Sequence, residues 1–587
     1  MKINLNTHFA TAFLHQVHRA GIRHIVLSPG SRNTPLVFAA VRFTKFHLHS
    51  VLDERSAGFY ALGIAKGAES PVMLISTSGT AAAEYYPALI EASMTGVPLL
   101  FCTADRPEYL TGTGANQTIF QEGMFGKHIP HPLSYEVKGL DKESRDQFLK
   151  VTAQVIHTLF AEPAAPAHFN FRFDTPLEPG QKTHDIAGSE TKKLTHARLP
   201  VVESKGKVYL NPYQIPELKK VKLLTEKDER GIILVGPHPS EPRIEKYLKS
   251  LSKATGFPII ADGVSNLRSR HRLILSGYPL ITKSNKIGSI RPDVIIQCGQ
   301  WSTSKSIESF VREHGSRRIV LPFKGKVIDP LGTASGYCTD TDELLRQALK
   351  RKTTNTLYFN KLSDLSKIYT SIVSRHFRSG YSSKRTGIRE HLIGNIVCNS
   401  VDKETNILIG NSMVVRDWDD FCTEIQATSR IFSNRGASGI DGLLATAFGI
   451  ANGYRRKVLL ITGDNSFFYD LNSLLLAERN EFPVIIVVIN NGGGRIFEHL
   501  PVAAERDFPS EYYLTPQTVQ ISDIANAFRI PYFKAGHEVG LAKAIEKGVR
   551  MKKTTLIEAV VDAPSSIADR KHLTEKIIER ISEALGE

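Results

Sequence analysis

KVLLITGDN at 457–465 and PVIIVVINNGGG at 483–494 decide the reading of this chain. Each is an uninterrupted β-branched run that ends in a polar, glycine-rich turn, and a helix-length interval separates the two. Such runs are the pattern of strands buried on both faces, and hence of a parallel sheet covered by helices. In sheets of that kind ligand groups gather at the carboxyl ends of the strands. Asp464 and Asn491 stand at two such ends, one βαβ unit apart. A carboxylate oxygen, the Asn491 carbonyl and the backbone carbonyl of Gly493 form a donor set for a hard divalent ion, Mg2+ or Mn2+. Taken singly, Gly-Asp and Asn-Gly are ordinary turns; the pairing at this spacing makes them a candidate metal site.

The same alternation extends outward. IRHIVLS (22–28), FHLHSVL (46–52), PVMLIS (71–76) and PLLFCT (98–103) predict a first parallel sheet. GIILVG (231–236), PII (258–260), DVIIQCG (293–299) and RRIVLP (317–322) predict a second, and NILIG (406–410) and TTLIEAVV (554–561) join the opening pair in a third. The Pro-rich stretch 162–180 and the lysine-dotted segment 181–228 read as a boundary and linker. Residues 351–385, with eight Lys/Arg against the single acid Asp364, read as a second, solvated linker. The fold class is therefore α/β, with three doubly wound parallel-sheet domains at 1–180, 229–350 and 386–587. The first and third domains show no sequence self-similarity.

Composition agrees with a folded enzyme-sized chain: 587 residues, 41% hydrophobic and 23% charged. A formal charge of +15 attracts anions of any kind, but no basic stripe interleaved with aromatics supports a nucleic-acid partner. Five scattered cysteines without a C-x-x-C pair suggest neither a disulfide framework nor a zinc cluster, and point to a reducing, cytoplasmic setting. The N-terminal MKINLNTHFATAFLHQVHRAG reads as an amphipathic helix, not a secretory signal. No apolar run approaches the roughly 18 residues of a membrane span. Gly112-Thr113-Gly114 is too short for a dinucleotide fingerprint, so neither flavin nor nicotinamide is assigned.

Glu54 ends FHLHSVLD and opens the alanine- and glycine-rich RSAGFYALGIAKGA. A carboxylate there commonly satisfies helix-end N–H groups, a task that Asp53 can take instead. Glu54 with the Asp464 motif resembles the signature of thiamine-diphosphate enzymes. LSPGSRNTPL (27–36), TADRPEYLTGTGANQT (103–118), GNSMVVR (410–416), SNRGASGIDG (433–442) and NNGGGRIF (490–497) narrow that likeness. With them the chain resembles the menaquinone-pathway family that synthesises 2-succinyl-5-enolpyruvyl-6-hydroxy-3-cyclohexene-1-carboxylate (SEPHCHC). Both ends of the chain carry the resemblance and the middle third matches weakly.

The resemblance implies an aminopyrimidine-binding first domain, a diphosphate-binding third domain and a homodimer or dimer of dimers. It implies a transferase that decarboxylates 2-oxoglutarate and adds the succinyl carbanion to isochorismate in a Stetter-like 1,4-addition. Glu54 would hydrogen-bond the aminopyrimidine ring of thiamine diphosphate, while Asp464, Asn491 and Gly493 hold the metal. Ser31, Arg32, Arg106, Asn116 and Gln117, together with Ser412, Arg416 and Arg435, fall where the polycarboxylate substrates are handled, and arginine suits carboxylates because its fork binds them bidentately. Among these Gln117, Ser412, Arg416 and Arg435 are counted with the catalytic set, and Ser412 also with the cofactor. Ile440 would prop the cofactor, and Ile496, Phe497 and Leu500 would wall it and the substrate; as plain sequence, Ile440 is also compatible with helix core beside Leu443, Leu444 and Ala447. Lys305 matches a substrate lysine of the central domain, but Ser306 departs from the family's second basic residue, and a solvated helix-start lysine is an equal reading. A sibling thiamine-diphosphate enzyme, a 2-oxoacid decarboxylase or acetolactate synthase, is the alternative; it leaves the arginines idle.

Overall fold

The computed structural model describes residues 4–129, 131–162, 164–180, 188–202, 216–218, 224, 230–268, 271–314, 316–350, 356–380, 387–423 and 429–586. Among them lie three parallel six-stranded sheets. The first holds β1 (His24–Leu27), β2 (His47–Ser50), β3 (Val72–Ser76), β4 (Leu99–Asp105), β5 (Leu133–Glu136) and β6 (Ala167–Arg172). The second holds β7 (Gly231–Val235), β8 (Ile259–Ala261), β9 (Ile274–Leu275), β10 (Val294–Cys298), β11 (Arg317–Val320) and β12 (Gly336–Tyr337). The third holds β13 (Asn406–Ile409), β14 (Ile431–Ser433), β15 (Val458–Gly463), β16 (Val484–Asn490), β17 (Tyr532–Ala535) and β18 (Thr555–Val560).

The first and third sheets share one strand order. It runs β2-β1-β3-β4-β6-β5 in the first and β14-β13-β15-β16-β18-β17 in the third, so each domain repeats the same winding without visible sequence likeness. The central sheet, β9-β8-β7-β10-β11-β12, has the 3-2-1-4-5-6 order of doubly wound nucleotide folds. In all three the order reverses beside the first strand, the place where such sheets open a crevice.

The chain forms two compact units: Met1–Lys207 with Asn434–Arg456 and Asp470–Pro483, and Val208–Ser433 with Lys457–Tyr469 and Val484–Glu587. Within the first unit, Phe13 of the helix Leu5–Arg19 packs on the sheet's Phe169 and Phe171, and Phe9 packs against Tyr135 and Phe148. The helix Glu54–Ala68 meets the helix Leu443–Tyr454 through small residues. A Cβ on Gly63 would stand 2.3 Å from the Thr446 carbonyl oxygen, and one on Gly449 2.1 Å from that of Tyr60. The helix backbones are thus in contact, which explains the glycine spacing. Gly449→Val should therefore lower stability by about 1–3 kcal/mol, read as a fall in the denaturation midpoint; an unchanged midpoint would contradict this packing.

Two expected linkers need correction. Residues 188–195 of the first form the helix Gly188–Thr195, whose Leu194 is buried in the first core; Gln16 Nε2 donates to the carbonyls of Thr195 and Ala197. Residues 181–187, 203–215, 219–223 and 225–229 lie outside the described residues. In the second linker, Thr356–Gly380 is one helix of 25 residues. Tyr358, Leu362, Leu365, Tyr369 and Val373 line its buried face, so it is part of the second unit's core while its charges point outward. Residues 351–355 and 381–386 are not described. None of the five cysteines forms a disulfide, and all five are buried. Among the described residues no helix is long and apolar enough to cross a membrane.

Candidate functional site

The candidates divide between the two units. In the second, β15 ends at Gly463 and Asp464 opens the next helix, while β16 ends at Asn490 and delivers Asn491 to the neighbouring strand end. Asp464 Oδ1 accepts from Asn465 N at 2.7 Å, and Oδ2 accepts from Gly492 N at 3.0 Å and Gly493 N at 2.8 Å. The carboxylate therefore fixes the turn that carries the other two metal candidates. Burial raises its pKa against the pull of these N–H groups. Gly493 takes φ 113°, and a Cβ there would lie 2.1 Å from the Leu514 carbonyl oxygen, so the turn admits only glycine. Asn465 supports the same loop, its Nδ2 donating to Leu514 O and Thr515 Oγ1.

Asn491 Nδ2 donates to both oxygens of Glu390, at 3.1 and 3.0 Å, while its Oδ1 is buried with no hydrogen-bond partner. An orphaned amide oxygen beside a buried carboxylate and a glycine carbonyl is the donor chemistry of a hard divalent ion. Asp464, Asn491 and Gly493 thus fit the metal expected of them. Glu390 has no motif of its own and the sequence did not reveal it. Burial, with Asp417 and Asp464 adding negative charge, raises its pKa.

A cavity of about 230 Å3 in the second unit is lined by Lys305, Arg416, Ile496 and Leu500, four of the expected residues, and by Lys283, His499 and Arg570, which sequence reasoning missed. Ser412 precedes the helix Met413–Phe421 with φ 65° and ψ −130°, a strained conformation for a residue with a side chain; Arg416 Nη1 donates to its carbonyl. Phe497 packs edge-on to Tyr513. The acidic run after Arg416 is paired: Arg570 reaches Asp417 and Asp420, and Arg268 reaches Asp419 at 2.7 Å in a fully buried pair. Two arginines against three carboxylates offset most of the run's charge beside the cavity, whose lining includes Asp419, Asp420 and Arg570.

In the first unit the candidates gather at carboxyl ends of adjacent strands. Asp53 caps the helix Glu54–Ala68, accepting from Arg55 N and Ser56 N, so Glu54 is not needed for capping. Burial raises the Glu54 pKa, its own backbone N–H opposes the rise, and the charges of Asp53 and Glu84 add to it. Ser78 joins two candidates: Gln117 Nε2 donates to its carbonyl at 2.9 Å and Arg106 Nη1 to its hydroxyl. Gln117 takes φ 55°. Arg32 donates to Phe173 O, and burial together with the like charge of Arg106 lowers its pKa. Ser31 and Asn116 lie exposed in the loops alongside.

Arg435 sits in a loop held by Glu91, whose carboxylate accepts from Gly436 N and Ala437 N, and by Lys66, which donates to Asn434 Oδ1 at 2.6 Å. Ile440 is 37% exposed and precedes the helix that begins at Leu443, so the helix-core reading of it is corrected.

Residues 7–124 match the N-terminal thiamine pyrophosphate binding domain of thiamine pyrophosphate enzymes, and residues 418–559 match their C-terminal binding domain. The 2-succinyl-5-enolpyruvyl-6-hydroxy-3-cyclohexene-1-carboxylate synthase of Bacillus pumilus is 31% identical over 99% of this chain and 99% of its own length. The synthase of the same name from Trichodesmium erythraeum is 33% identical over 90% of this chain and 91% of its own, and that from Sorangium cellulosum 32% over 95% and 93%. The chain therefore belongs to the thiamine-diphosphate-dependent SEPHCHC synthase family.

Proposed function

We propose that the chain decarboxylates 2-oxoglutarate and joins the succinyl unit to isochorismate by 1,4-addition, releasing CO2 and forming SEPHCHC. Its relatives are named for that product. The observation that carries the residue assignment is the cavity in which Lys305 and Arg416 face an apolar wall of Ile496 and Leu500. Cations there suit the carboxylates of both substrates, and the wall excludes water from the reacting carbons.

Thiamine diphosphate supplies the carbon nucleophile that makes loss of CO2 from a 2-oxo acid feasible. Glu54 holds a proton at its pyrimidine ring nitrogen, a task helped by the raised pKa of this carboxyl. Asp464, Asn491 and the Gly493 carbonyl would hold Mg2+ or Mn2+, which would supply charge to bind the cofactor's diphosphate. Ser31, Arg32, Arg106, Asn116, Gln117 and Arg435 orient substrate carboxylates and hydroxyls. Ser412, Ile440 and Phe497 complete the cofactor and substrate walls. In keeping with the resemblance, the active form is a homodimer or dimer of dimers in the cytoplasm; a fully active monomer in sedimentation would refute this.

Supplying 2-oxoglutarate or pyruvate, each with and without isochorismate, tests the reading. CO2 release dependent on 2-oxoglutarate, with product only when isochorismate is present, is the expected outcome; preference for pyruvate would favour a sibling decarboxylase. Arg416→Ala should raise the substrate KM about tenfold to a hundredfold, the worth of one charge-assisted hydrogen bond. Its thiamine diphosphate affinity should stay near wild type; equal damage to both would undo the assignment.

Glu390 positions Asn491 by accepting from its amide N–H2 at both carboxylate oxygens, which would leave Oδ1 available to an ion. Glu390→Ala should weaken Mg2+-dependent cofactor binding about tenfold to a hundredfold. Calorimetric affinities equal to wild type would show that Asn491 needs no such partner.

A further inference from the structure

Three elements of the second unit meet in a cluster that the reaction does not use. His376 lies in the helix Thr356–Gly380, His391 in the short turn Glu390–Leu392, and Asp569 in the helix Ala563–Gly586. His376 Nε2 is 2.8 Å and His391 Nε2 3.3 Å from the same oxygen, Asp569 Oδ2. The ligand atoms that the three residues offer all lie within 4.8 Å of one another. His391 is fully buried, and neither ring nitrogen is in hydrogen-bond geometry with a partner.

A His–Asp–His hydrogen-bond set satisfies His376 and leaves His391 unexplained. An unpaired buried polar group costs about 1–3 kcal/mol, which is the sign of a missing partner. Bonds of about 2.0–2.1 Å to a tetrahedral centre place neighbouring ligand atoms about 3.3 Å apart. His391 Nε2 stands at that separation from the carboxylate oxygen, out of line for a hydrogen bond but in place for a shared ion.

We propose that His376, His391 and Asp569 form a second metal site, for a borderline transition-metal ion such as Zn2+, with water in the fourth position. Two imidazoles and one carboxylate favour such an ion over Mg2+, which prefers oxygen alone. Burial lowers the His391 pKa and so keeps the ring in its neutral, ligating form. Burial opposes ionisation of Asp569, but the two imidazoles beside its carboxylate, His376 and His391, prevail and hold its pKa low, so it stays ionised. An ion here would tie the ends of two long helices to the turn that carries Glu390.

Full-length protein is titrated with Co2+ in the presence of excess Mg2+ and thiamine diphosphate, which fill the cofactor's own metal site. A visible band of tetrahedral Co2+ should saturate at about one equivalent per chain and be displaced by Zn2+. Zn2+ should also raise the melting temperature. His376→Ala and Asp569→Asn should each weaken Co2+ binding at least about a hundredfold while leaving circular dichroism and Mg2+-dependent cofactor binding unchanged. No saturable band in the wild type, or a band that persists in either variant, overturns the proposal. Should a variant fold poorly, the wild-type titration with its Zn2+ displacement decides alone.

Discussion

Glu54→Gln should cut turnover by about 10²–10⁴-fold, the usual contribution of a positioned acid–base group, with the fold intact. The structure separates this side chain from the structural duty that a helix-start acid normally has, because Asp53 accepts the Arg55 and Ser56 N–H groups and the Ser56 hydroxyl. Glutamine preserves the shape and one hydrogen bond but cannot exchange a proton with a ring nitrogen. Stability should therefore stay within about 0.5 kcal/mol and thiamine diphosphate affinity within about tenfold. Proton exchange at the thiazolium carbon of the bound cofactor, followed by NMR, should slow with turnover. Asp53→Ala supplies the contrast: it should cost about 0.5–2 kcal/mol of stability through the lost cap and spare the exchange rate. Near-normal turnover in Glu54→Gln, or slowed exchange in Asp53→Ala alone, would move the catalytic role to the neighbouring residue.

The separation of cap and catalyst shows what local sequence can and cannot convey. Strand ends were legible because short β-branched runs stop at Gly, Asn or Asp, and Asp464, Asn491 and Glu54 all sit at such stops. β6 was hidden because its HFNFR alternation is flanked by prolines, which drew the whole stretch into a boundary. The helix Thr356–Gly380 was masked by its charge: counting Lys and Arg without their period overlooks Tyr358, Leu362, Leu365, Tyr369 and Val373 at helical spacing. Glu390 was invisible for a different reason. It meets the candidate site through Asn491, 101 residues away, and no local pattern encodes such a pairing. The same holds for the acidic run 417–420, whose partners Arg268 and Arg570 lie about 150 residues off on either side. Periodicity records which face a residue turns to the core; it carries no record of which distant charge will meet it.

Asp464→Asn should lower Mg2+-dependent thiamine diphosphate affinity by roughly 10²–10⁴-fold, the equivalent of about 3–5 kcal/mol for removing one charge from a buried ionic pairing. The carboxylate has two tasks that the substitution affects unequally. Oδ2 takes two N–H groups of the Gly492–Gly493 turn and Oδ1 takes one, from Asn465. Oδ1 is thus the oxygen with a lone pair left for an ion. Asparagine keeps one oxygen for the turn but lacks the charge, and its amide would confront N–H donors with another donor. Some loss of stability, about 1–3 kcal/mol, should accompany the change even without metal. Calorimetry with and without Mg2+ separates the two effects: the turn's contribution appears in both titrations, whereas the ion's appears only as the gap between them. In the wild type that gap should be large, and in Asp464→Asn it should close. A gap of wild-type size in the variant would mean that the metal is held elsewhere, and that Asp464 only shapes the loop.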